Sequence, residues 1–202
     1  NNDDYDGLKE YINTFGRSDI EHILIEMNDE SESDEFGDVD VWKCIRSIMY
    51  PYEDMEVLNT RWEQILAEMT ETFHENMDNE QYQETKEEFM TAMLEREYEY
   101  RNFITYLVFR YFAKAVYDYD VVGKAKMFVT NYLILRQMDM LVWYKKHKKF
   151  CFEDRIDTVH IFSRQVEYSE DNMEALYESF IFDDVFETDN LCKLLWIDST
   201  AL

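Results

Sequence analysis

The chain has 202 residues, a mass of 24.7 kDa and a formal net charge of -25, and 46% of its residues are hydrophobic. This composition excludes a disordered acidic tail, and the length allows a buried core that needs neither disulfides nor metals. The charge excludes nucleic acid and anionic membrane surfaces as expected partners, because their phosphates would be repelled.

The scarcity of glycine and proline indicates the fold class. Only 4 Gly and 1 Pro occur, which leaves little material for β-hairpins or Gly-rich phosphate loops, whereas Glu, Leu, Met and Lys favour helix. We therefore predict an all-α fold, an irregular multi-helix bundle around two long central helices. Residues 1–38 are expected to form acidic N-terminal helices and a mobile loop, residues 39–202 the helical core domain, and both parts one domain overall.

Periodicity and capping residues place the helices along the chain. Pro51 is expected to end the third helix, because proline disfavours helical conformation in the residue before it. Asp120 and Ser169 are predicted N-caps, and the run of charges at 28–38 is predicted to be the mobile loop. In chain order, the predicted helices are a short one ending near residue 15, then 19–27, 39–49, 53–76, 79–117 with a bend near 97–101, 121–147, 153–168, a helix after Ser169, and 189–196.

Charge is distributed unevenly along the chain. Residues 1–100 hold 29 Asp and Glu against 7 Lys and Arg, whereas residues 101–202 hold 16 against 13. This pattern predicts a solvated, acidic N-terminal half and a better-packed C-terminal half. Solubility is the simplest reason for an acidic surface, and recognition of a Lys-bearing protein partner is the functional alternative.

The three cysteines indicate the compartment. Cys44, Cys151 and Cys192 are far apart in the sequence and form no CxxC pair. Thiols so placed do not assemble a zinc or cluster site from neighbouring residues, so no metal site is predicted, and a secreted disulfide scaffold is not expected. The expected compartment is therefore the reducing cytoplasm.

Polar residues interrupt the most apolar part of the chain. The run 127–143 contains Asn131, Arg136 and Asp139. Such groups are costly in lipid, so the run is predicted to be a buried helix and not a membrane span. Because buried polar groups must be paired, we expect Asn131, Arg136 and Arg110 to be buried and hydrogen-bonded, in an internal network or in a site.

One helix face carries residues typical of acid and base chemistry. The sequence has no GxGxxG, Walker, HExxH or GxSxG motif, and His74 is predicted to lie on the surface. Asp157, His160, Arg164 and Glu167 recur at helical spacing, so one face presents acid, imidazole, guanidinium and acid. The pattern suits a general acid and base site, but it is more typical of a network of ion pairs on a helix face.

Four segments of the sequence carry a family resemblance. They are EVLNTRWEQIL (56–66), YEYRNFITYLVFRYF (98–112), KAKMFVTNYLILR (124–136) and EDRIDTVHIFSRQVEYSEDN (153–172). Together they resemble the C-terminal portion of the flagellin lysine N-methylase family of bacteria, over about residues 40–185. Tyr168 departs from the pattern, since it stands where we would expect His.

The resemblance implies a function. The family is taken to methylate lysine side chains of flagellin with S-adenosylmethionine, and its longer members begin with a cysteine-rich segment thought to hold an iron-sulfur cluster. That segment is absent from this chain, so the resemblance implies a companion or substrate-facing part of a protein-lysine N-methyltransferase and not the complete catalytic unit. The implied partner is a protein with a basic or Lys-rich surface, namely flagellin. The alternative is a noncatalytic, acidic, helical protein-interaction module.

The candidate site residues fall into a catalytic group and a substrate-binding group. The catalytic candidates are His160, Arg164 and Glu167. The substrate-binding candidates are Tyr106, Arg110, Asn131, Tyr132 and Arg136. Tyrosine rings and carboxylates together can hold a lysine ammonium before it is deprotonated, which is the role expected around Tyr106, Tyr132 and Glu167.

Overall fold

The structure is a computed structural model that describes residues 41–199. Every regular element in this range is helical and no strand occurs there, so the predicted all-α fold is confirmed. The helices predicted in 1–27 and the loop predicted at 28–38 lie outside the described residues. Among residues 41–199, none of the helices combines the length and apolar character that a membrane span requires.

Nine α-helices follow one another in the described range, joined by short turns of other helical types. The α-helices are α1 (Val41–Glu53), α2 (Thr60–Met69), α3 (Asn79–Met93), α4 (Glu97–Tyr111), α5 (Ala115–Asp118), α6 (Val121–Lys145), α7 (Phe152–Phe162), α8 (Glu170–Phe182) and α9 (Thr188–Ser199). π-Helical turns extend α2 and α7 at Thr70–Glu75 and Ser163–Glu167. Turns of 3-10 helix lie at Leu94–Arg96, Phe112–Lys114 and Asp184–Phe186.

Helix α6 is the centre of the domain. Of its 25 residues 17 are buried, and it packs against α1, α2, α3, α4, α7, α8 and α9. A helix that is apolar around most of its circumference is stable only inside a larger structure, so this central position follows from its sequence. The predicted N-cap is confirmed, since the carboxylate of Asp120 accepts a hydrogen bond of 2.8 Å from the backbone N–H of Gly123.

Aromatic contacts hold α7 in place against the neighbouring helices. The ring of Phe162, at the end of α7, lies 6.2 Å from Trp62 on α2 and 5.9 Å from Phe103 on α4, both edge to face. Phe162 and Trp62 are almost fully buried. Edge-to-face pairs add to the stabilisation from burial. The start of the π-helical turn after α7 is therefore fixed by the core.

Proline 51 does not end α1, which contradicts the prediction. The helix continues through Pro51 to Glu53. The next residue, Tyr52, is fully buried, its hydroxyl donates to Asn131 Oδ1 at 2.7 Å, and its carbonyl accepts from the indole N–H of Trp62 at 3.2 Å. These contacts with α6 and α2 stabilise the last turn against the local cost of proline.

The helix predicted over 53–76 is interrupted by a loop at residues 54–59. Two buried amide side chains bind the backbone of this loop. The backbone N–H of Glu56 donates to Asn172 Oδ1 at 2.9 Å, and that of Leu58 donates to Gln165 Oε1 at 3.0 Å. The side-chain amides of Asn172 and Gln165 both donate back to the carbonyl of Glu56. The backbone of this loop therefore forms its hydrogen bonds with side chains that are more than 100 residues away in the sequence.

The segment predicted as one helix over 79–117 is also interrupted. A 3-10 turn at Leu94–Arg96 separates α3 from α4, slightly before the predicted bend. The guanidinium of Arg96 donates to Glu99 and to the carbonyl of Phe150, at 2.9 Å and 2.8 Å, and this holds the turn against the segment before α7. The predicted starts of the last helices are confirmed, with Ser169 accepting from the N–H of Asn172.

Candidate functional site

A surface cleft of about 800 Å³ runs along α7 and the π-helical turn that follows it. We call it the basic cleft, because three of its eight lining residues are basic and none is acidic. Its lining residues are Leu58, Arg155, Ile156, Val159, His160, Ser163, Arg164 and Tyr168. The volume is within the range of small-ligand sites. The basic cleft contains His160 and Arg164, two of the residues that the sequence singled out.

Arg155 lines the basic cleft and is fixed by the core. Its Nε donates to Glu99 at 3.0 Å, its Nη1 donates to the carboxylate of Asp139, and its guanidinium carbon lies 3.9 Å from the ring centroid of Tyr100. The side chain is only 7% exposed. Its Nη2 has no hydrogen-bond partner among the described residues. The fixed guanidinium therefore keeps one donor that the protein does not use.

Asp139 anchors this arrangement from inside α6. It is fully buried and accepts hydrogen bonds from Tyr100 at 2.8 Å and Thr158 at 2.6 Å, besides the ion pair with Arg155. Burial raises the pKa of the Asp139 carboxyl to about 6, while the Arg155 guanidinium and the two hydroxyl donors oppose that rise. At neutral pH the carboxylate is ionised, and it joins α6 to α4 and α7.

Glu167 turns into the protein in the π-helical turn. Its side chain is 1% exposed. One carboxylate oxygen accepts from the hydroxyls of Tyr106 and Tyr111, both at 2.9 Å, and the other accepts from Ser163 at 2.8 Å. Arg110 Nε lies 3.7 Å from the same carboxylate. Burial, and then the charge of Glu167, raises the pKa of the Tyr111 phenol. All of these groups already have partners within the protein.

The predicted face of Asp157, His160, Arg164 and Glu167 is split by the π-helical turn. His160 and Arg164 are exposed in the basic cleft and form no ion pair with another described residue. Glu167 is buried and is not part of the cleft lining. Ser163 links the two, because it lines the cleft and its hydroxyl donates a hydrogen bond to the Glu167 carboxylate. A wider helical turn rotates the residues that follow it. A catalytic role for these residues stays a prediction.

Two of the substrate-binding candidates lie beside Glu167. Arg110 Nη1 donates to the hydroxyl of Tyr106 at 2.9 Å, and Tyr106 donates to Glu167. The expectation that Arg110 is buried is wrong, because its side chain is 41% exposed. Its guanidinium instead lies against the rings of Tyr106, Tyr111 and Tyr168. These cation–π contacts stabilise the charge while the side chain stays partly in solvent.

The other three candidates, Asn131, Tyr132 and Arg136, lie inside the domain on α6. Asn131 is fully buried and Arg136 is 4% exposed, so their predicted burial is confirmed. Asn131 accepts from Tyr52, and Arg136 donates to the hydroxyl of Tyr132 and lies about 5 Å from the ring centroids of Tyr132 and Tyr100. They are part of the core, and the structure does not bring them together with the exposed Tyr106 or with the buried Glu167 of the π-helical turn.

His74 is more enclosed than predicted. The side chain is half-buried and its ring stacks on Tyr82, with centroids 6.5 Å apart. Burial, followed by the charge of Arg46, lowers the pKa of His74 to about 4. The surface position was predicted because acidic residues surround His74 in the sequence. In the structure the neighbouring Phe73 is buried and packs against Tyr82, which holds this turn against the core. The imidazole is neutral at pH 7 as a result.

A second depression, which sequence reasoning did not identify, lies between α3 and the end of α6. We call it the acidic hollow. It has a volume of about 780 Å³ and is lined by Glu84, Glu87, Glu88, Thr91, Ala92, Trp143 and Lys148. Lys148 Nζ lies 2.6 Å from Glu88 and 5.9 Å from the ring centroid of Trp143. The three glutamates lie on one face of α3, and nothing in the sequence placed Trp143 and Lys148 opposite that face.

The described residues do not fit either cofactor that the family resemblance implies. Residues 41–199 contain no group of three or more His, Cys, Asp or Glu that could hold a metal ion, and Cys44, Cys151 and Cys192 form no disulfide with one another. Their one glycine, Gly123, serves the N-cap of α6, because a Cβ there would lie 2.1 Å from the Asp120 carboxylate. No Gly-rich turn for a nucleotide is therefore present among them.

Residues 41–199 thus form an all-α domain whose surface carries the basic cleft and the acidic hollow. The chain belongs to the family of FliB lysine N-methylase C-terminal domains, whose family model matches residues 1–194. The resemblance based on four segments is confirmed, and the match extends beyond 40–185 at both ends. No curated protein and no solved structure matches the chain.

Proposed function

We propose that this chain is the substrate-facing helical domain of an S-adenosylmethionine-dependent flagellin lysine N-methylase, and that it binds a lysine-bearing protein at the acidic hollow. Membership of the family supports the class of reaction. The observation that carries the binding role is the position of Lys148, whose ammonium already lies between Glu88 and the ring of Trp143. The hollow therefore already accommodates the chemical group that a lysine substrate would bring.

Charge supports the same assignment. Residues 41–199 hold 31 Asp and Glu against 18 Lys and Arg, so the domain attracts a basic protein surface from a distance. Within the hollow, Glu84 and Glu87 are exposed and form no ion pair with another described residue. Carboxylates and an aromatic ring are the groups that bind an ammonium ion most favourably. Glu84 and Glu87 are therefore free to contact an incoming lysine.

Methyl transfer is assigned in this proposal to the whole enzyme and not to this domain alone. The nucleotide loop and cysteine cluster that the chemistry would use are not found among residues 41–199. The domain would hold the substrate protein, so that binding energy positions the lysine for reaction. The alternative, a noncatalytic interaction module, uses the same hollow and differs only in the absence of methyl transfer.

Calorimetry with a flagellin peptide that contains a single lysine tests the binding role. We expect saturable binding that weakens as salt is raised, because exposed charges are screened over about 10 Å at 0.1 M salt. The same peptide with its lysine acetylated should bind much more weakly, since it lacks the ammonium. Equal binding of the two peptides, or binding independent of salt, would contradict the proposal.

Matched variants localise the interaction. The double variant Glu84→Gln with Glu87→Gln should weaken lysine-peptide binding, because it removes the two unpaired carboxylates of the hollow. Glu174→Gln with Glu178→Gln removes the same charge from the exposed face of α8 and should have little effect. A methylation assay of this chain with S-adenosylmethionine and flagellin addresses the companion role separately, since methyl transfer by the chain alone would overturn that part.

A further inference from the structure

The basic cleft has the opposite charge to the rest of the chain. The sequence carries 45 Asp and Glu against 20 Lys and Arg, yet no acidic residue lines this cleft. Arg155, His160 and Arg164 line it instead. Asp157, the nearest acidic residue before His160 on α7, is not part of the lining. The charged side chains that line the cleft are therefore opposite in sign to the net charge of the chain, whereas glutamates line the acidic hollow.

The three basic side chains of the basic cleft differ in burial and in their hydrogen-bond partners. Two nitrogens of Arg155 are engaged by Glu99 and Asp139, which fix the guanidinium and balance its charge, but Nη2 has no partner among the described residues although the side chain is 7% exposed. His160 and Arg164 lie one helical turn apart, exposed and without an ion pair in the described part of the chain. Because Nη2 is buried, the donors that a ligand in the cleft can reach directly are those of His160 and Arg164, and exposed donors with no ion pair are suited to an anion.

The remaining lining is mostly apolar. Leu58, Ile156 and Tyr168 are 44%, 50% and 73% exposed, so they present apolar surface to the cleft that the protein itself does not cover. The hydroxyl hydrogen of Ser163 is already donated to Glu167, so Ser163 offers no further donor to an anion. A ligand that fits both parts has one anionic group and an apolar body.

We propose that the basic cleft binds a carboxylate carried on an apolar body. His160 and Arg164 hold the carboxylate beside the fixed guanidinium of Arg155 in the cleft wall, while Leu58, Ile156 and Tyr168 contact the apolar part. A planar guanidinium matches the two oxygens of a carboxylate, and the apolar lining favours this ligand over a bare phosphate ion. The site is distinct from the acidic hollow and does not depend on the proposed binding of lysine there.

Calorimetry on the full chain with N-acetylphenylalanine, and with its neutral amide as the matched probe, tests the carboxylate requirement. We expect the acid to bind at least about tenfold more tightly than the amide, the size of effect that one or two charge-assisted hydrogen bonds produce. Equal affinities of the acid and the amide would overturn the proposal. Inorganic phosphate should compete only weakly, and strong competition would show that the site is a phosphate site instead.

Variants of the exposed cations locate the site without disturbing the core. Arg164→Gln and His160→Gln should each weaken binding of N-acetylphenylalanine, with a loss of about tenfold for Arg164→Gln. Arg101→Gln removes the same charge from an exposed position on α4 outside the cleft and is the control. Unchanged affinity in Arg164→Gln would contradict the assignment.

A further arm distinguishes the source of the carboxylate. A blocked tripeptide whose one charge is a glutamate side chain carries the same chemistry on a peptide. Tighter binding of this peptide than of N-acetylphenylalanine would identify an acidic segment of a protein as the occupant, and tighter binding of the free acid would identify a small molecule. Both results support a carboxylate site, whereas failure of both ligands to bind would contradict the proposal.

Discussion

Arg155 on α7 and Asp139 on α6 form an ion pair in which the two side chains are 7% and 0% exposed. The pair joins the central helix to the helix that forms the wall of the basic cleft. Glu99 on α4 accepts from the Nε of the same guanidinium at 3.0 Å. One arginine is therefore shared by the core and the cleft, so the stability of the fold and the geometry of the candidate anion site depend on the same contacts.

The first prediction concerns the buried carboxylate. Asp139→Asn should lower the free energy of unfolding by about 1.5 to 3 kcal/mol, because the buried guanidinium of Arg155 loses one of its two carboxylate partners and keeps Glu99. Urea unfolding followed by circular dichroism measures this. Asp157→Asn removes an exposed carboxylate from the same region and should change stability little. Similar midpoints for the two variants would show that the Asp139 pair is not an important source of stability.

The second prediction concerns the carboxylate in the π-helical turn. Glu167→Gln should cost about 1 to 3 kcal/mol of folding free energy, because one of its two accepting oxygens becomes an NH2 group, which cannot accept from the hydroxyls of Tyr106 and Tyr111 on one side or of Ser163 on the other. Thermal melting monitored by circular dichroism is sufficient to detect this. Glu174→Gln on the exposed side of α8 is the control. A melting temperature for Glu167→Gln equal to that of the control would contradict this account.

The parts of the fold that could be predicted from the sequence are those with local causes. Helical periodicity and the lack of glycine and proline determine the class, and the caps at Asp120 and Ser169 depend on residues three positions away. The loop at 54–59 could not be predicted in this way. Its partners, Gln165 and Asn172, lie more than 100 residues further along the chain. Long-range hydrogen bonds to backbone leave no periodic signal in the sequence.

The candidate site residues show the same difference between local and long-range causes. His160 and Arg164 share a helix, so their spacing indicated a common face, and the structure places both in one cleft. Arg155 drew no attention in the sequence because its role depends on Asp139 and on Glu99, which belong to other helices. The π-helical turn that buries Glu167 arises from tertiary contacts, and helical spacing assumed a regular α-helix.

The third prediction uses the titration of His74. Its pKa is lowered from an ordinary value of 6.5 to about 4 in the folded chain, mainly by burial. The unfolded chain therefore binds the proton more readily between these values, so the contribution of His74 to stability is present at pH 7 and is lost as the pH falls below 6.5. For a half-buried ring, solvent screening reduces the expected loss near pH 5 to about 1 kcal/mol.

The measurement compares wild type with His74→Gln by urea unfolding at about pH 7 and about pH 5. We expect wild type to lose more stability between the two conditions than the variant, because glutamine does not titrate. Other buried acids, among them Asp139 and Glu99, titrate equally in both proteins and cancel in the difference. A parallel pH dependence in the two proteins would show that His74 is not enclosed.

The fourth prediction concerns the loop at 54–59, which contributes Leu58 to the basic cleft. Asn172→Ala removes hydrogen bonds to both the N–H and the carbonyl of Glu56. We expect a loss of about 1 to 3 kcal/mol in stability, since the N–H of Glu56 and the carbonyl of Gln165 lose the partner that Asn172 supplies, while Gln165 still donates to the carbonyl of Glu56. The amide of Glu56 should also exchange with solvent faster. Asn102→Ala, at an exposed position on α4, is the control, and equal exchange rates in the two variants would refute the role of Asn172.

The fifth prediction tests whether the acidic hollow is occupied by the chain's own lysine. Lys148→Gln removes the ammonium that lies against Glu88 and Trp143, so it frees the hollow for an external lysine. Affinity for the single-lysine flagellin peptide should rise by up to about fivefold, because an exposed ion pair of this kind is worth about 0.2 to 1 kcal/mol. The control is Lys149→Gln, which removes an equal charge from the next residue. The side chain of Lys149 does not line the hollow, so this variant measures the effect of overall charge alone. If both variants raise the affinity equally, the effect is one of net charge, and Lys148 does not compete with the substrate lysine.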